Sequence, residues 1–380
     1  MTDPQTPQPS ESDLTAAREA ALLAPYAMHS AASAGRKYPE PSHPYRGPFQ
    51  RDRDRILHSA AFRRLSHKTQ VFTGDFGDYH RSRLTHTLET ATIARTLGRA
   101  LRLNEDLIEA SALMHDIGHP PFGHSGEDVL NECLRDEGGF SHNRQALRIV
   151  EELERRYPDF PGLNLSRELL EGQQRRVEKS AARERPLLEA QVVDAADSIA
   201  YDTHDADDAL QLGLLTIDEL LEIPLWCEAA DRVLGRYQNL TGGELRRAIL
   251  HELIDWQVGG LLSRAEERLA QGDIRTTADV RRSAPLITPE REMAEKKSEL
   301  EKFLHVRVYR HPRVLQMRTE STGMLRAMFE RFVAEPHLLP AGFQARIAKD
   351  GLTRTVGDYL AGMTDRYLQR EYQRLFGGKT

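Results

Sequence analysis

Residues 104–121 read NEDLIEASALMHDIGHPP. Asn104 is a good N-cap, because its side-chain oxygen can accept a free first-turn N–H, and Glu105 and Asp106 suit the positive end of a helix. The pattern predicts a helix that runs to Gly118, after which Pro120 and Pro121 forbid continuation. That places His115 and Asp116 side by side in the last turn, where the backbone relaxes and both side chains can reach one metal ion. A His–Asp pair alone is common, and its surroundings decide. Ala112, Leu113 and Met114 precede it and Ile117 follows. A carboxylate among these apolar side chains is costly unless a cation or strong donors meet it.

Working outward, the preceding helix covers roughly Arg81–Leu103 and carries His86. Leu84, Leu88, Ala91, Leu97 and Leu101 form one apolar stripe, and Ile93 adds a further side, so this helix is expected at the centre of the fold. Downstream, a helix opening with Pro186 at its first turn runs past Asp208. Its apolar stripes, Leu188/Val192/Ala195/Ile199 and Val193/Ala196/Ala200, flank a face bearing Asp194, Asp197, Tyr201, Asp205 and Asp208. A solvated acidic face is the usual reading of such a pattern. Here the two stripes leave little of the helix facing water, which favours a buried polar site. His86, His115, Asp116 and Asp197 make a two-histidine, two-carboxylate set that suits Mn, Fe, Co, Ni or Mg with water in the open positions, better than structural zinc.

The rest of the chain reads as helical. A capping-box-like start lies at Ser125, another helix follows Ser141 and stops before Pro158, and amphipathic segments continue to Val356–Phe376. Short alternations at Val71–Phe76 and Val306–Tyr309 make at most a small hairpin. The basic runs Arg281-Arg282 and Lys296-Lys297 read as solvated surface. The formal net charge of -6 argues against a broad grip on nucleic acid, which needs a basic stripe. Cys133 and Cys227 are far apart, which excludes a disulfide scaffold and fits a reducing cytosol. No secretory signal is visible and no apolar run approaches the roughly 20 residues of a membrane span. Residues 1–25, rich at their start in Pro, Gln and Ser, are read as disordered.

The order His86…His115-Asp116…Asp197 resembles the signature of the HD phosphohydrolases. The flanking words Phe62-Arg63-Arg64-Leu65, Lys68-Thr69-Gln70-Val71, Arg83-Leu84-Thr85-His86, HDIGHPPFGHSGE over 115–127, Phe140-Ser141-His142-Asn143-Arg144-Gln145 and Asp197-Ser198-Ile199-Ala200-Tyr201 narrow this. They resemble the dGTPase-like branch of deoxynucleoside triphosphate (dNTP) triphosphohydrolases, strongly over about residues 49–210. A weaker likeness extends to Lys302-Phe303-Leu304 and Val308–Pro312.

The resemblance implies an all-α fold, with an HD-domain core over 26–225 and an additional helical region over 226–380. It implies a divalent metal, Mn²⁺ or Mg²⁺ first and Co²⁺, Ni²⁺ or Fe²⁺ after them, on His86, His115, Asp116 and Asp197. It further implies hydrolysis of dNTPs to deoxynucleoside and triphosphate, which regulates dNTP pools. His124 is then the proton donor, oriented by Glu127, and His142 stands near the phosphates. Arg83 neutralises a phosphate oxygen, while Gln70, Tyr201 and Asp205 read the sugar. His119 receives no role. The residue after Asp197 is Ser198, where some relatives carry a charged side chain, so contacts from that position do not transfer. The family also implies a homo-oligomer, with a hexamer as one form, and a nucleotide activator in the cytoplasm, with nucleic acid not a primary ligand. Other readings are a 5′-deoxynucleotidase or phosphodiesterase of the same superfamily, and a nucleotide-sensing regulator; the phosphorus product separates the enzymes.

Overall fold

The computed structural model describes residues 11–70, 81–178 and 184–377. Among them no strand forms, and only isolated bridges such as Thr69–Ser82 and Arg36–Ser166 interrupt a helical chain. The fold is all-α. The alternation at Val71–Phe76 lies outside the described residues. That at Val306–Tyr309 is not extended: it belongs to a π-helical turn, His305–Tyr309, which buries Val308 and leaves Val306 in solvent.

A helix, α1 (Glu11–Leu22), occupies much of the stretch expected to lack structure. Glu19 on this helix accepts hydrogen bonds from the Ser30 N–H and hydroxyl at 2.7 and 2.6 Å, which ties it to the body of the protein. Next come α2 (Pro48–Leu57), α3 (Ala60–Arg64), α4 (Arg83–Ala100), α5 (Glu105–Met114) and α6 (Gly123–Cys133). They are followed by α7 (His142–Arg148), α8 (Arg167–Val177) and α9 (Leu188–Gln211).

The caps explain the central pair. Ser82 accepts from the Thr85 N–H at the start of α4, and Asn104 accepts from the Leu107 N–H at the start of α5, as its sequence predicts. The end of α5 differs from expectation. It stops at Met114, and His115–His119 form a turn in which the His119 N–H donates to the Asp116 carbonyl. The start of α6 also differs. It begins at Gly123 rather than Ser125, because Phe122 adopts a left-handed backbone (φ 64°) after Pro120–Pro121 and no capping box forms.

Helices α4, α5 and α9 pack on one another through Ala94, Leu97, Ile108, Ala112, Val192 and Ala196, all out of water. Each large aliphatic group so buried stabilises the fold by about 1.5–3 kcal/mol. The inward face of α4 is rotated from the stripe read in its sequence. Leu88 is 46% exposed, while Thr87 and Thr90 are fully buried beside His86.

The remaining helices are α10 (Ile217–Leu221), α11 (Pro224–Arg236), α12 (Gly242–Gln271), α13 (Thr277–Arg282), α14 (Arg291–Leu304, continued by the π turn) and α15 (Pro312–Ala334). Short α16 (Ala341–Gln344) and α17 (Ile347–Asp350) precede α18 (Leu352–Ala361) and α19 (Asp365–Phe376), which Gly362 separates. Residue 225, read as the end of the core region, falls inside α11, and the adjacent Trp226 is fully buried. Helices α12 and α14 lie along α9, and α15 lies along α6. Lys297 on α14 is not surface. Its ammonium pairs with Asp202 of α9 at 2.5 Å and donates to Gln257 at 2.8 Å.

Polar ties join the C-terminal helices to the turns after α5. The buried Lys68 ammonium donates to the carbonyls of His119 and, at 2.8 Å, Ala361. Asp365 accepts from the backbone N–H groups of Thr69 (2.9 Å) and Phe122 (3.1 Å). No helix among the described residues is long and apolar enough to cross a membrane.

Gly118 sits where the turn after α5 meets α7. A Cβ there would stand 2.0 Å from the His142 carbonyl oxygen and 2.5 Å from the Ala146 nitrogen, both backbone atoms that cannot swing aside. Gly118→Ala is expected to lower stability by about 1–3 kcal/mol, the usual cost of overpacking. Urea unfolding measures it, and an unchanged midpoint would mean that α5 and α7 approach less closely than described.

Candidate active site

A cleft of about 860 Å³ opens between the turn after α5, the first turns of α6 and α7, the end of α8 and one face of α9. At its floor His86 Nε2 stands 3.0 Å from Asp197 Oδ1, and His115 Nε2 stands 3.5 Å from the same oxygen. One nitrogen from each histidine and one Asp197 oxygen lie within 4.8 Å of one another. Asp116 joins through its Oδ1, 3.5 Å from His115 Nε2. Three helices thus supply the group: α4 gives His86, the end of α5 gives His115 and Asp116, and α9 gives Asp197.

The donors fit a divalent ion. His115 Nδ1 donates to the Ala112 carbonyl at 2.5 Å, so the lone pair is on Nε2, turned to the cluster; that atom is buried and has no hydrogen-bond partner among the described residues. Burial works to raise the Asp116 and Asp197 carboxyls, but the neighbouring His115 and, for Asp116, His119 and Arg83 hold both well below the usual carboxylate range. His115 is pushed up: burial opposes its charge, and Asp116 and Asp197 outweigh that effect. Carboxylate oxygens and an imidazole nitrogen converge, and a cation bound there would take the place of a proton on His115 Nε2.

A second layer of imidazoles stands above the floor. His119 and His142 stack at 3.9 Å between centroids and 12° between planes, with His124 edge-on to His119 at 5.0 Å. Their nitrogens also come within 4.8 Å of one another. Yet two stacked rings aim their in-plane lone pairs along parallel lines, so they cannot converge on one ion. These are groups for hydrogen bonding rather than a second metal set. Burial, followed by Arg83 and His142, pushes His119 well down and lowers His124. Both rings are therefore neutral near pH 7.

Most residues singled out by sequence line this cleft: Gln70, Arg83, His86, His115, Asp116, His124, His142, Asp197 and Tyr201. Two expectations are corrected. Glu127 does not orient His124. Its carboxylate accepts from His142 Nδ1 at 2.8 Å and from the His142 backbone N–H at 2.9 Å. The two donors at the start of α7 capture it, whereas His124 lies within the first turn of α6. Asp205 does not face the cleft. It is 1% exposed and accepts from the Tyr309 hydroxyl, because the π turn after α14 covers this part of α9.

Arg83 is almost fully buried and donates to Asp116 Oδ2 at 2.8 Å, so it serves the floor first. Gly123 (φ 58°) makes room for it, since a Cβ there would stand 2.8 Å from the Arg83 Nη2. Sequence reasoning missed Asn143, Arg175, Arg176 and Arg185, which line the cleft together with Glu178 and Glu184, and left His119 without a role. In the structure His119 Nε2 lies 3.2 Å from Asp116 Oδ1. The signal for Arg175 and Arg176 was the pair of arginines ending α8, which only the packing of α8 turns toward the metal ligands.

Comparison with known proteins identifies relatives of the whole chain. Residues 83–202 match the HD domain, and residues 287–374 match the phosphohydrolase-associated domain. A deoxyguanosinetriphosphate triphosphohydrolase-like protein of Geobacter sulfurreducens is 44% identical over 372 residues, covering 94% of this chain and 96% of that protein. A protein of the same description from Thiobacillus denitrificans is 43% identical, covering 93% and 97%. Among solved structures, a hypothetical protein from Aquifex aeolicus aligns with a TM-score of 0.46 and 16% identity over 86% of this chain and 71% of its own.

The buried acidic cluster on α9 has a measurable pH signature. Burial, together with Asp208 and Asp202, raises the Asp205 carboxyl from 3.8 to about 8 despite the Tyr309 hydrogen bond. The folded protein thus holds this proton more tightly than the unfolded chain. The linked stability is full below the unfolded value and is lost as pH rises toward about 8. Asp205→Asn removes that dependence. Between pH 6 and 9 the variant should lose less Tm than the parent, and parallel losses would show that Asp205 is ionised throughout.

Proposed function

Because the chain belongs to the HD-domain family of deoxyguanosinetriphosphate triphosphohydrolase-like proteins, we propose that this phosphohydrolase cleaves dNTPs to a deoxynucleoside and inorganic triphosphate. One observation carries the reading. A group of metal-type ligands lines a nucleotide-sized cleft together with a layer of three imidazoles and with Arg175, Arg176 and Arg185. His86, His115, Asp116 and Asp197 would hold a divalent ion that supplies Lewis acidity toward a phosphoryl oxygen and a water acidic enough to attack near neutral pH.

The chain's own groups do the rest. Arg83 fixes Asp116 and adds positive charge beside the α-phosphate. Glu127 locks His142 with its proton on Nδ1, which leaves Nε2 toward the cleft and Asn143 at 3.0 Å. When the bond between the α-phosphorus and the 5′-oxygen breaks, the departing oxygen needs a proton, and His124 donates it. In the free protein Arg83 and burial keep that imidazole neutral. The negative charge of a bound triphosphate acts the other way, so proton uptake by His124 accompanies binding.

Sugar selection rests on Tyr201, at the cleft wall, and Gln70, whose buried side-chain oxygen lacks a partner among the described residues. An unpaired buried acceptor favours a ligand hydroxyl. Tyr201 fills the space where a 2′-hydroxyl would lie.

Incubation with each dNTP and NTP under several divalent metals tests the proposal. Triphosphate should appear from one or more dNTPs and little from ribonucleotides; orthophosphate as the product would transfer the site to a nucleotidase. His124→Ala should keep its metal yet lose about 100- to 10,000-fold in kcat. Loss of bound metal in that variant would make His124 a ligand instead.

A further inference from the structure

Arg83 is already committed to Asp116, and Ser198 brings no charge to the cleft. A triphosphate carries several negative charges, so most of its neutralisation must come from elsewhere. Around the end of α8 the cleft offers three arginines, set among Glu178, Glu184 and Asp194. Arg176, in the last turn of α8, is held at 2.6 Å from Asp194 of α9, with the guanidinium side chain 15% exposed and the aspartate 52% exposed. Burial opposes its charge, but Asp194, Asp197 and Asp116 raise its pKa further, so it stays a cation. Arg185, at the same wall, is exposed and forms no ion pair among the described residues. Arg175 is partly engaged, 3.4 Å from Glu171.

We propose that Arg176 is a substrate-binding residue that exchanges Asp194 for the β- and γ-phosphate oxygens of an incoming triphosphate, with Arg185 as the second cation of that subsite. This rests on the triphosphohydrolase reading above. The exposures decide between this role and a simple strap from α8 to α9. An ion pair whose acid is half in water contributes little to stability. A planar guanidinium held at a cleft wall, by contrast, matches phosphate oxygens in a bidentate manner. The aspartate keeps the arginine oriented and can turn into solvent when a stronger anion arrives, while the guanidinium remains. Asp194 thereby acts as a placeholder for phosphate.

The probe is inorganic tripolyphosphate, used with the metal-loaded full-length protein and divalent metal in excess over the polyanion. Its binding is read directly by calorimetry and as competitive inhibition of turnover. Arg176→Ala should weaken tripolyphosphate binding by tenfold or more and raise KM more than it lowers kcat, with bound metal unchanged; Arg176→Lys should recover part of the loss. Asp194→Asn, which removes the competitor, should tighten binding. Unaltered tripolyphosphate affinity in Arg176→Ala overturns the proposal, as does weaker or unaltered binding in Asp194→Asn, the variant that decides if Arg176→Ala fails to fold. If the parent protein releases no triphosphate from any dNTP, the broader reading fails, and the calorimetric comparison still reports on Arg176 by itself.

Discussion

Asp116 is a carboxylate kept almost entirely out of water, gripped by the Arg83 guanidinium at 2.8 Å and approached by His119 at 3.2 Å and His115 at 3.5 Å. Removing partners from a buried charge costs several kcal/mol, so this carboxylate is tolerable only when α4 and the turn after α5 are assembled together. The same requirement pulls α9 into place, because Asp197 meets His86 and His115 from the third side. The apolar contacts among these helices supply the stability. The charged centre supplies the register, since it is satisfied in one arrangement only.

The cleft built on that centre is electrically divided. Its floor carries the Asp116 and Asp197 carboxylates, its roof includes His119 and His124, both lowered by burial and by Arg83, and its α8 side sets Arg175, Arg176 and Arg185 among Glu178, Glu184 and Asp194. A ligand with a chain of phosphates and a less polar end finds a different environment at each part. Orientation therefore follows from charge before any base is recognised.

Sequence reasoning picked out four side chains that the structure brings together, because a carboxylate inside an apolar helix end is conspicuous by its cost, and because His86 and Asp197 sit on helices apolar on two sides. It also reached the helical class, from periodicity and caps such as Asn104. It did not reach partners chosen by distant packing. Glu127 was assigned to His124 on nearness in the chain, whereas the first turn of α7 offered it two donors at once. Asp205 shares its helical phase with Asp197, yet the π turn ending in Tyr309 covers it, and no periodicity reports what lies over a helix. Leu88 was placed inward because leucine outranks threonine in hydrophobicity; the structure buries Thr87 and Thr90 instead, where smaller side chains let α4 approach its neighbours.

The ties from Lys68 to Ala361 and from Asp365 to Thr69 and Phe122 reach beyond the anchoring of two helices. Ala361 and Asp365 lie in the stretch that matches the phosphohydrolase-associated domain, Phe122 lies in the stretch that matches the HD domain, and Lys68 and Thr69 lie ahead of both, so the ties run across the border between the two descriptions and outside it. Cut between the two matched stretches, the N-terminal part would carry the buried Lys68 ammonium with one carbonyl partner missing and the Thr69 and Phe122 amide groups stripped of their acceptor. What looks modular in a linear comparison is therefore joined by buried polar contacts beside the cleft. Recombination that exchanges one stretch for a foreign counterpart must preserve a lysine, an aspartate and their spacing across the seam, or lose the geometry of the histidines.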